Sequence, residues 1–274
     1  MKTLKPLLAL ALGVSLVLPV EAHRAWIVPG ATVLSGEDPW VTFDGAISNT
    51  LFHPDHFPLN PEGVSALGPD GEAVELQNVH SGKYRSTFDL NLKQNGTYKV
   101  FSASGGLSAR WQDEKGERRF WPGRGERANP ADFDTQVPKD AENLEVSYNS
   151  RRIETFVTAG APSEEALKPS NEGLELVPVT HPNDLFAGEE ATFRLLIDGE
   201  PAVGAKVTVI PGGMRYRDGQ NAIETESGAE GDFSITWPEA GLYWLSASYR
   251  DDKAKAPATA RSGSYVATFE VLPE

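Results

Sequence analysis

Two imidazoles and one carboxylate lie within four residues of each other, at His53, Asp55 and His56. Pro54 excludes a continuous helix at this point, so we expect a turn or an extended loop. In such a loop both imidazoles could bind one metal ion, or Asp55 could orient a ligating histidine through a hydrogen bond. The alternative interpretation is a solvated surface loop without a ligand.

His23 is a second candidate, because it follows a segment typical of a secretory signal peptide. Residues 1–22 contain two early lysines, an apolar core and a small residue, Ala22, at the expected cleavage point. A membrane anchor is the alternative, but the apolar run is shorter than the roughly 20 residues that span a bilayer. Cleavage after Ala22 would give His23 a free amine beside its imidazole, and the two nitrogens together can chelate one ion. Otherwise His23 is simply the residue at which the cut falls.

The remaining histidines lie in less distinctive segments. His181 opens the second half of the chain and could face the first half's site, although a turn residue is the other interpretation. His80 precedes a Ser-Gly turn and is expected in an ordinary loop. We therefore predict a metal site formed by His23 and His56, with His53, Asp55 and His181 as further candidates. Nitrogen-rich sites favour Cu(II) or Ni(II), and Zn or Fe are further options.

The composition excludes several classes of function. The chain has 274 residues, a formal net charge of −14 and no cysteine. Nucleic acids and anionic lipids require clustered positive charge, so neither is expected as a partner. The absence of cysteine excludes disulfides, thiolate ligands and thiol catalysis. No later segment is apolar and long enough to span a membrane. No serine-nucleophile, phosphate-loop, dinucleotide or zinc-protease motif is present, so we do not predict an enzyme.

Many short strands with turns between them must position these side chains. Alternating or β-branched runs predict strands at 40–47, 84–92, 96–101, 191–197, 205–210, 233–237, 243–247 and 265–271. Asp-Gly and Asn-Gly turns separate several of them. This pattern is typical of β-sandwiches. Tyr98 and Tyr243 each follow a glycine by two residues in a repeated context, and we predict that each hydroxyl fixes the preceding corner, as in immunoglobulin-like domains.

Composition also suggests domain boundaries. Residues 159–172 contain few side chains that could enter a core, so we predict a linker there. It separates an N-terminal sandwich at 23–158 from a C-terminal immunoglobulin-like sandwich at 173–274. The first includes a long irregular loop at 110–140, and loops of that length are usually functional or mobile. Its basic and aromatic residues could bind an anion, a glycan or a partner protein, but neighbouring acidic residues make a solvated loop the default interpretation.

The sequence resembles a periplasmic family formerly described as NikM-type nickel-transport subunits and now treated mainly as a domain of unknown function. The resemblance covers nearly all of the predicted mature chain and is carried by the segments 22–29, 44–59, 81–88, 174–178, 198–205 and 240–243. It implies an exported all-β protein of two immunoglobulin-like or prealbumin-like domains. It also implies a role in transition-metal uptake, often beside outer-membrane receptors. We expect either such a receptor or an inner-membrane transporter as the partner. His23, Asp55 and His56 match the family's motifs, whereas the family more often has an aromatic residue at position 53.

Together these observations predict a soluble periplasmic protein that binds a transition metal and assists its uptake or handling. One alternative is a copper-dependent oxidative enzyme that uses an N-terminal histidine chelate. It would require a flat substrate-binding face lined by Trp26, Trp111 and Trp121. The other alternative is a structural or adhesive sandwich protein without a metal.

Overall fold

The computed structural model describes residues 23–123, 125–126 and 128–274. In this part of the chain nearly all regular structure is β-strand, and the one α-helix is α1, Phe133–Gln136. The prediction of an all-β fold with two sandwiches is confirmed. The predicted signal peptide at 1–22 lies outside the described residues, as do Arg124 and Arg127. None of the described helices has the length and apolar composition needed to cross a membrane.

The strands form three sheets, which pack as two sandwiches. In chain order they are β1 (Arg24–Pro29), β2 (Val33–Leu34), β3 (Trp40–Ser48), β4 (Phe57–Pro58), β5 (Ser65–Leu67), β6 (Ala73–Val74), β7 (Gln77–Ser81), β8 (Ser86–Asn91), β9 (Gly96–Gln112), β10 (Arg118–Trp121), β11 (Glu142–Ala159), β12 (Leu174–Pro178), β13 (Glu190–Ile197), β14 (Glu200–Pro201), β15 (Lys206–Pro211), β16 (Ile223–Glu226), β17 (Asp232–Thr236), β18 (Gly241–Asp251) and β19 (Ala260–Val271). Single 3-10 turns lie at Pro61–Gly63, Pro130–Asp132, Glu165–Leu167 and Met214–Tyr216.

One ten-stranded sheet runs through both sandwiches. Its order is β16-β15-β18-β19-β11-β9-β5-β6, with β10 paired to β9 and β2 paired to β11. A five-stranded sheet, β1-β3-β8-β7 with β4 on β3, covers the β11-β9-β5 half. A four-stranded sheet, β12-β13-β14 with β17 on β13, covers the β15-β18-β19 half. The halves join where β11 and β19 pair in parallel, so the two sandwiches share a continuous backbone ladder.

Each sandwich has its own core. Trp26, Phe43 and Phe88 are buried in the first, and Phe193 and Trp237 in the second. Side chains of this size contribute about 1.5–3 kcal/mol each when they are fully buried. The first core also takes side chains from β15, β18 and β19, because β1 packs across the junction of the shared sheet.

The predicted tyrosine corners are confirmed in both sandwiches. The Tyr98 hydroxyl donates to the Gln94 carbonyl at 2.9 Å and accepts from the Gln94 amide at 2.9 Å. The Tyr243 hydroxyl donates to the Glu239 carbonyl at 2.8 Å and accepts from its amide at 3.3 Å. Each phenol thereby satisfies both backbone groups of a corner residue that no strand partner reaches.

The segment predicted as a linker is packed on the shared sheet. β11 continues to Ala159, and the following 3-10 turn buries Ala166 and Leu167. Leu167 joins the second core. Ser163 also exchanges hydrogen bonds with Thr97 of β9, so apolar and polar contacts together attach the connection to the shared sheet.

Residues 110–140 were expected to form an irregular loop, and the structure differs. β9 and β11 extend far beyond the first sandwich, and β10 pairs with the outer end of β9. We call these outer ends, together with β10 and α1, the arm. A third, small core contains Trp121, Phe133 and Val137 and covers one face of the arm. Trp121 and Phe133, which the sequence analysis assigned to an irregular loop, therefore stabilise this segment by packing on a sheet.

Candidate metal site

His23 and His56 lie in direct contact at the start of β1. Their ring centroids are 3.7 Å apart and the ring planes differ by 8°. The pairing of Arg24 with Ser48 places His23 beside the end of β3, from which the loop carrying His56 begins. His23 is exposed and His56 is half-buried, with its ring also against Phe57 at 4.1 Å. The structure thus brings together the two histidines that the sequence analysis assigned to one site.

Asp55 holds the loop that carries His56. Its carboxylate accepts hydrogen bonds from the backbone amide of Asn49 at 2.8 Å and from that of Thr50 at 3.3 Å. A further bond at 3.3 Å comes from the Asn49 side chain. Because these donors engage the carboxylate oxygens, Asp55 closes the loop on itself and fixes the backbone next to His56. In this arrangement Asp55 is a positioning residue.

The base of the loop is anchored in the first core. The indole of Trp26 donates to the Ser48 hydroxyl at 2.7 Å, and that hydroxyl donates to the Thr50 carbonyl at 2.7 Å. Phe52 has φ 58°, and its ring meets Trp26 edge-on at 5.8 Å. The positive φ turns the chain sharply at Phe52, whose ring packs against the first core before the loop continues to the histidines.

His53 faces a cation from the other sandwich. Arg215 Nη1 lies 3.0 Å from His53 Nε2 and 3.2 Å from Nδ1. Arg215 belongs to the 3-10 turn Met214–Tyr216, which follows β15. A guanidinium at this distance repels a metal ion at the same imidazole. His53 is thereby engaged by a cation, which makes it a poorer ligand candidate than either ring of the stacked pair.

Arg24 connects the three segments around the histidine pair. One of its nitrogens donates to the Asn49 carbonyl at 3.4 Å, and the other donates to Gln220 Oε1 at 3.1 Å. Its guanidinium carbon lies 5.8 Å from the ring centroid of Trp244, and Met214 Sδ is 3.9 Å from Nη1. Sequence reasoning missed this contribution from the β15–β16 loop, because nothing in that segment resembles a metal motif.

His181 belongs to a separate polar cluster between the β11 and β12 segments. Its Nδ1 accepts from the Asn183 amide at 3.2 Å, so Nε2 carries the proton and donates to Thr97 Oγ1 at 2.9 Å. Thr97 in turn contacts Thr158 at 3.1 Å. Burial lowers the pKa of His181, with the opposing effect of Asp184 second. The ring is held as a neutral structural hydrogen-bonding group.

The stacked pair by itself does not have the donor geometry that a metal ion requires. Among the described residues no group of three or more histidine, aspartate or glutamate side chains is arranged to hold a metal. Imidazole lone pairs lie in the ring plane. Two parallel stacked rings therefore cannot both direct a lone pair at one ion until one ring turns. His23 is exposed, so its ring is free of core packing that would oppose this rotation.

The tryptophans do not form the flat face that an oxidative copper enzyme would require. Trp26 is 1% exposed within the first core. Trp121 is 6% exposed in the core of the arm, and Trp111 packs against that same core. Trp26 therefore lies in a different core from Trp111 and Trp121, and none of the three rings is presented beside His23 as a substrate platform.

The fold and the site define a class of β-sandwich protein with a histidine pair at the junction of two domains that share a sheet. The chain belongs to the family DUF4198, a domain of unknown function, whose family model matches residues 20–251. This confirms the predicted membership of a family of unknown function.

Comparison with curated proteins gives no significant match. Among solved structures, the chain is similar to the D0-D1 domain of Intimin, with 9% identity, 90% of this chain and 97% of that chain covered, and a TM-score of 0.23. It is also similar to the chicken CNTN1 FN1-FN3 domains, with 6% identity, coverage of 90% and 97%, and a TM-score of 0.25.

Proposed function

We propose that this protein is a periplasmic transition-metal-binding protein that receives or hands on a first-row ion. Cu(II) or Ni(II) is the preferred ion, with Zn or Fe as further options. The observation that carries the proposal is the contact between the His23 and His56 rings at 3.7 Å. Two histidines from distant parts of the chain meet at an accessible position, where neither ring is needed to fill a core.

The donor set is completed by export. Cleavage after Ala22 gives His23 an amine, whose unperturbed pKa of about 7.7 allows a metal ion to displace its proton near neutral pH. The amine and ring of His23 would then bind as a chelate, with the His56 ring as the third nitrogen. Asp55 and Arg24 would act as positioning residues, because both bind the backbone of Asn49, where the loop that carries His56 begins.

Location and partners follow from the same proposal. The signal-peptide pattern at 1–22 supports export, and the acidic composition supports cation binding. A protein that carries an ion must deliver it, so we propose an outer-membrane receptor or an inner-membrane transporter as its partner. The exposed position of His23 would leave the ion accessible to such a partner.

Calorimetric titration with Cu(II), Ni(II) and Zn(II) tests the N-terminal chelate. Two forms are compared: the chain beginning at His23, and the same chain with one extra alanine before it. We expect the added residue to weaken binding by at least about tenfold, because it replaces the amine of His23 with an amide. Equal affinity in both forms would refute the N-terminal chelate, and absence of binding in both would refute the metal-binding function.

A further inference from the structure

The arm has one covered face and one open face. Strand alternation places Trp121 and Ala109 on the face that the small third core covers. Phe120 pairs with Arg110, and Arg118 pairs with Gln112, so these four side chains share the opposite face. Phe120 remains 62% exposed on that face. A large aromatic ring held in the open on a rigid sheet is available for contact with a ligand.

Two adjoining cavities are lined mainly by residues of this open face. One has a volume of about 320 Å³ and the other about 250 Å³. Phe120, Arg110 and Glu145 line both, so they form the wall between them. Arg118 lines only the first cavity and Arg250 only the second. The result is an elongated groove with an aromatic ring at its centre and a guanidinium on either side.

The charge of the groove is opposite to that of the protein. The chain carries a formal net charge of −14. Among the described lining residues, the charged side chains are three arginines and one glutamate. Glu145 is engaged by Arg110, whose Nε donates to it at 2.9 Å. Arg118 and Arg250 therefore leave a local positive charge, which favours an anionic ligand on an otherwise acidic molecule.

The polar side chains of the groove are amides and hydroxyls that already form ordered pairs. Asn143 Nδ2 donates to Gln112 Oε1 at 2.7 Å, and Asn149 Nδ2 donates to Ser108 Oγ at 2.7 Å. Such pairs fix the orientation of the remaining donors and acceptors on neighbouring strands. They are suited to ligand hydroxyls, which both donate and accept.

We propose that this groove binds an acidic oligosaccharide. Phe120 would stack on the apolar C–H face of a central sugar ring. The planar guanidinium groups of Arg118 and Arg250 would bind carboxylates of the flanking sugars, since this geometry permits two parallel hydrogen bonds. The amide pairs would contact the sugar hydroxyls. This site is separate from the histidine pair and does not depend on a metal.

Binding of hexagalacturonate by calorimetry tests the proposal, with neutral maltohexaose as the comparison ligand. We expect the chain beginning at His23 to bind the acidic sugar and to bind the neutral one at least tenfold more weakly. Arg118→Gln and Phe120→Ala should each lower the affinity about tenfold, because each removes one contact from an exposed position.

Arg119→Gln is the matched control. It makes the same charge change one residue away, but Arg119 points to the other face and pairs with Asp113 and Glu117. Its affinity should stay within about twofold of the parent, well below a tenfold change. Equal losses in the Arg118 and Arg119 variants would overturn the groove assignment. Undiminished binding of maltohexaose, equal binding of poly-glutamate, or no binding of hexagalacturonate would overturn the ligand assignment.

Discussion

Replacing Glu154 by glutamine is expected to lower the free energy of unfolding by about 3 kcal/mol or more. Glu154 is 2% exposed in β11, near the centre of the shared sheet. Its carboxylate accepts from Arg152 at 3.1 Å and from the Tyr265 hydroxyl at 2.8 Å. Arg152 is itself 6% exposed, so both charges have lost nearly all contact with water.

The large effect arises from the cations that would remain. Lys99 is also buried, and burial lowers the pKa of its amine while Glu154 and Glu175 oppose that shift. Glutamine keeps the shape of the side chain but removes one of the two carboxylates near Lys99 and Arg152. Two buried cations would then share Glu175, and an uncompensated buried charge is strongly destabilising.

Asp232→Asn provides the matched control for charge removal. Asp232 pairs with Arg194 at 2.6 Å, but the two side chains are 41% and 43% exposed. Exposed pairs contribute under about 1 kcal/mol, so this variant should lose far less stability than Glu154→Gln. Urea unfolding followed by tryptophan fluorescence measures both. Similar losses in the two variants would contradict the account of a desolvated network between the sandwiches.

Replacing Gly263 by alanine is expected to cost about 1–3 kcal/mol of unfolding free energy through overpacking. Gly263 lies in β19, where the first residue of β12, Leu174, crosses closely over the shared sheet. A Cβ on Gly263 would lie 2.2 Å from the Leu174 Cβ. Neither atom is at the end of a flexible side chain, so the four-stranded sheet would have to move away.

Gly106→Ala is the control for the loss of glycine. Gly106 lies in β9 of the same sheet, and a Cβ there would meet no atom within 4 Å. Its stability should therefore remain within about 0.5 kcal/mol of the parent, as expected for an unconstrained surface position. The midpoint and slope of urea unfolding give the comparison. A Gly263 variant as stable as the Gly106 variant would contradict the close approach of the two sheets.

The sequence predicted the strands that have an exposed face better than the strand at the centre. β3 and β13 alternate between buried and more exposed positions over most of their length, and that pattern predicts them from the sequence. β11 was not predicted, although it is the longest strand of the shared sheet. Its inner half is buried on both faces but contains the charged residues Arg152 and Glu154. Because charged residues are not expected in a central strand, the sequence pattern does not predict one here. Only the neighbouring strands reveal that these charges neutralise each other.

The candidate site could also be predicted only in part, because some of its contacts come from residues far away in the sequence. The residue types and the proposed cleavage point indicated His23 and His56, and the pairing of β1 with β3 explains why they meet. The approach of Arg215 to His53 could not be predicted, because it depends on how the second sandwich docks on the first. The same holds for His181, whose Nε2 bonds to Thr97 of β9, which in turn contacts Thr158 of β11.

Cu(II) affinity in a His56→Ala variant decides whether the stacked histidines bind a metal ion. His80→Ala is the matched control, since His80 is exposed on β7 at the far edge of the five-stranded sheet. Both are made in the chain beginning at His23, and unfolding midpoints confirm that both variants are folded. We predict that His56→Ala lowers the affinity at least about tenfold, while His80→Ala leaves it within about twofold. An unchanged affinity in folded His56→Ala would contradict a metal site at the stacked pair.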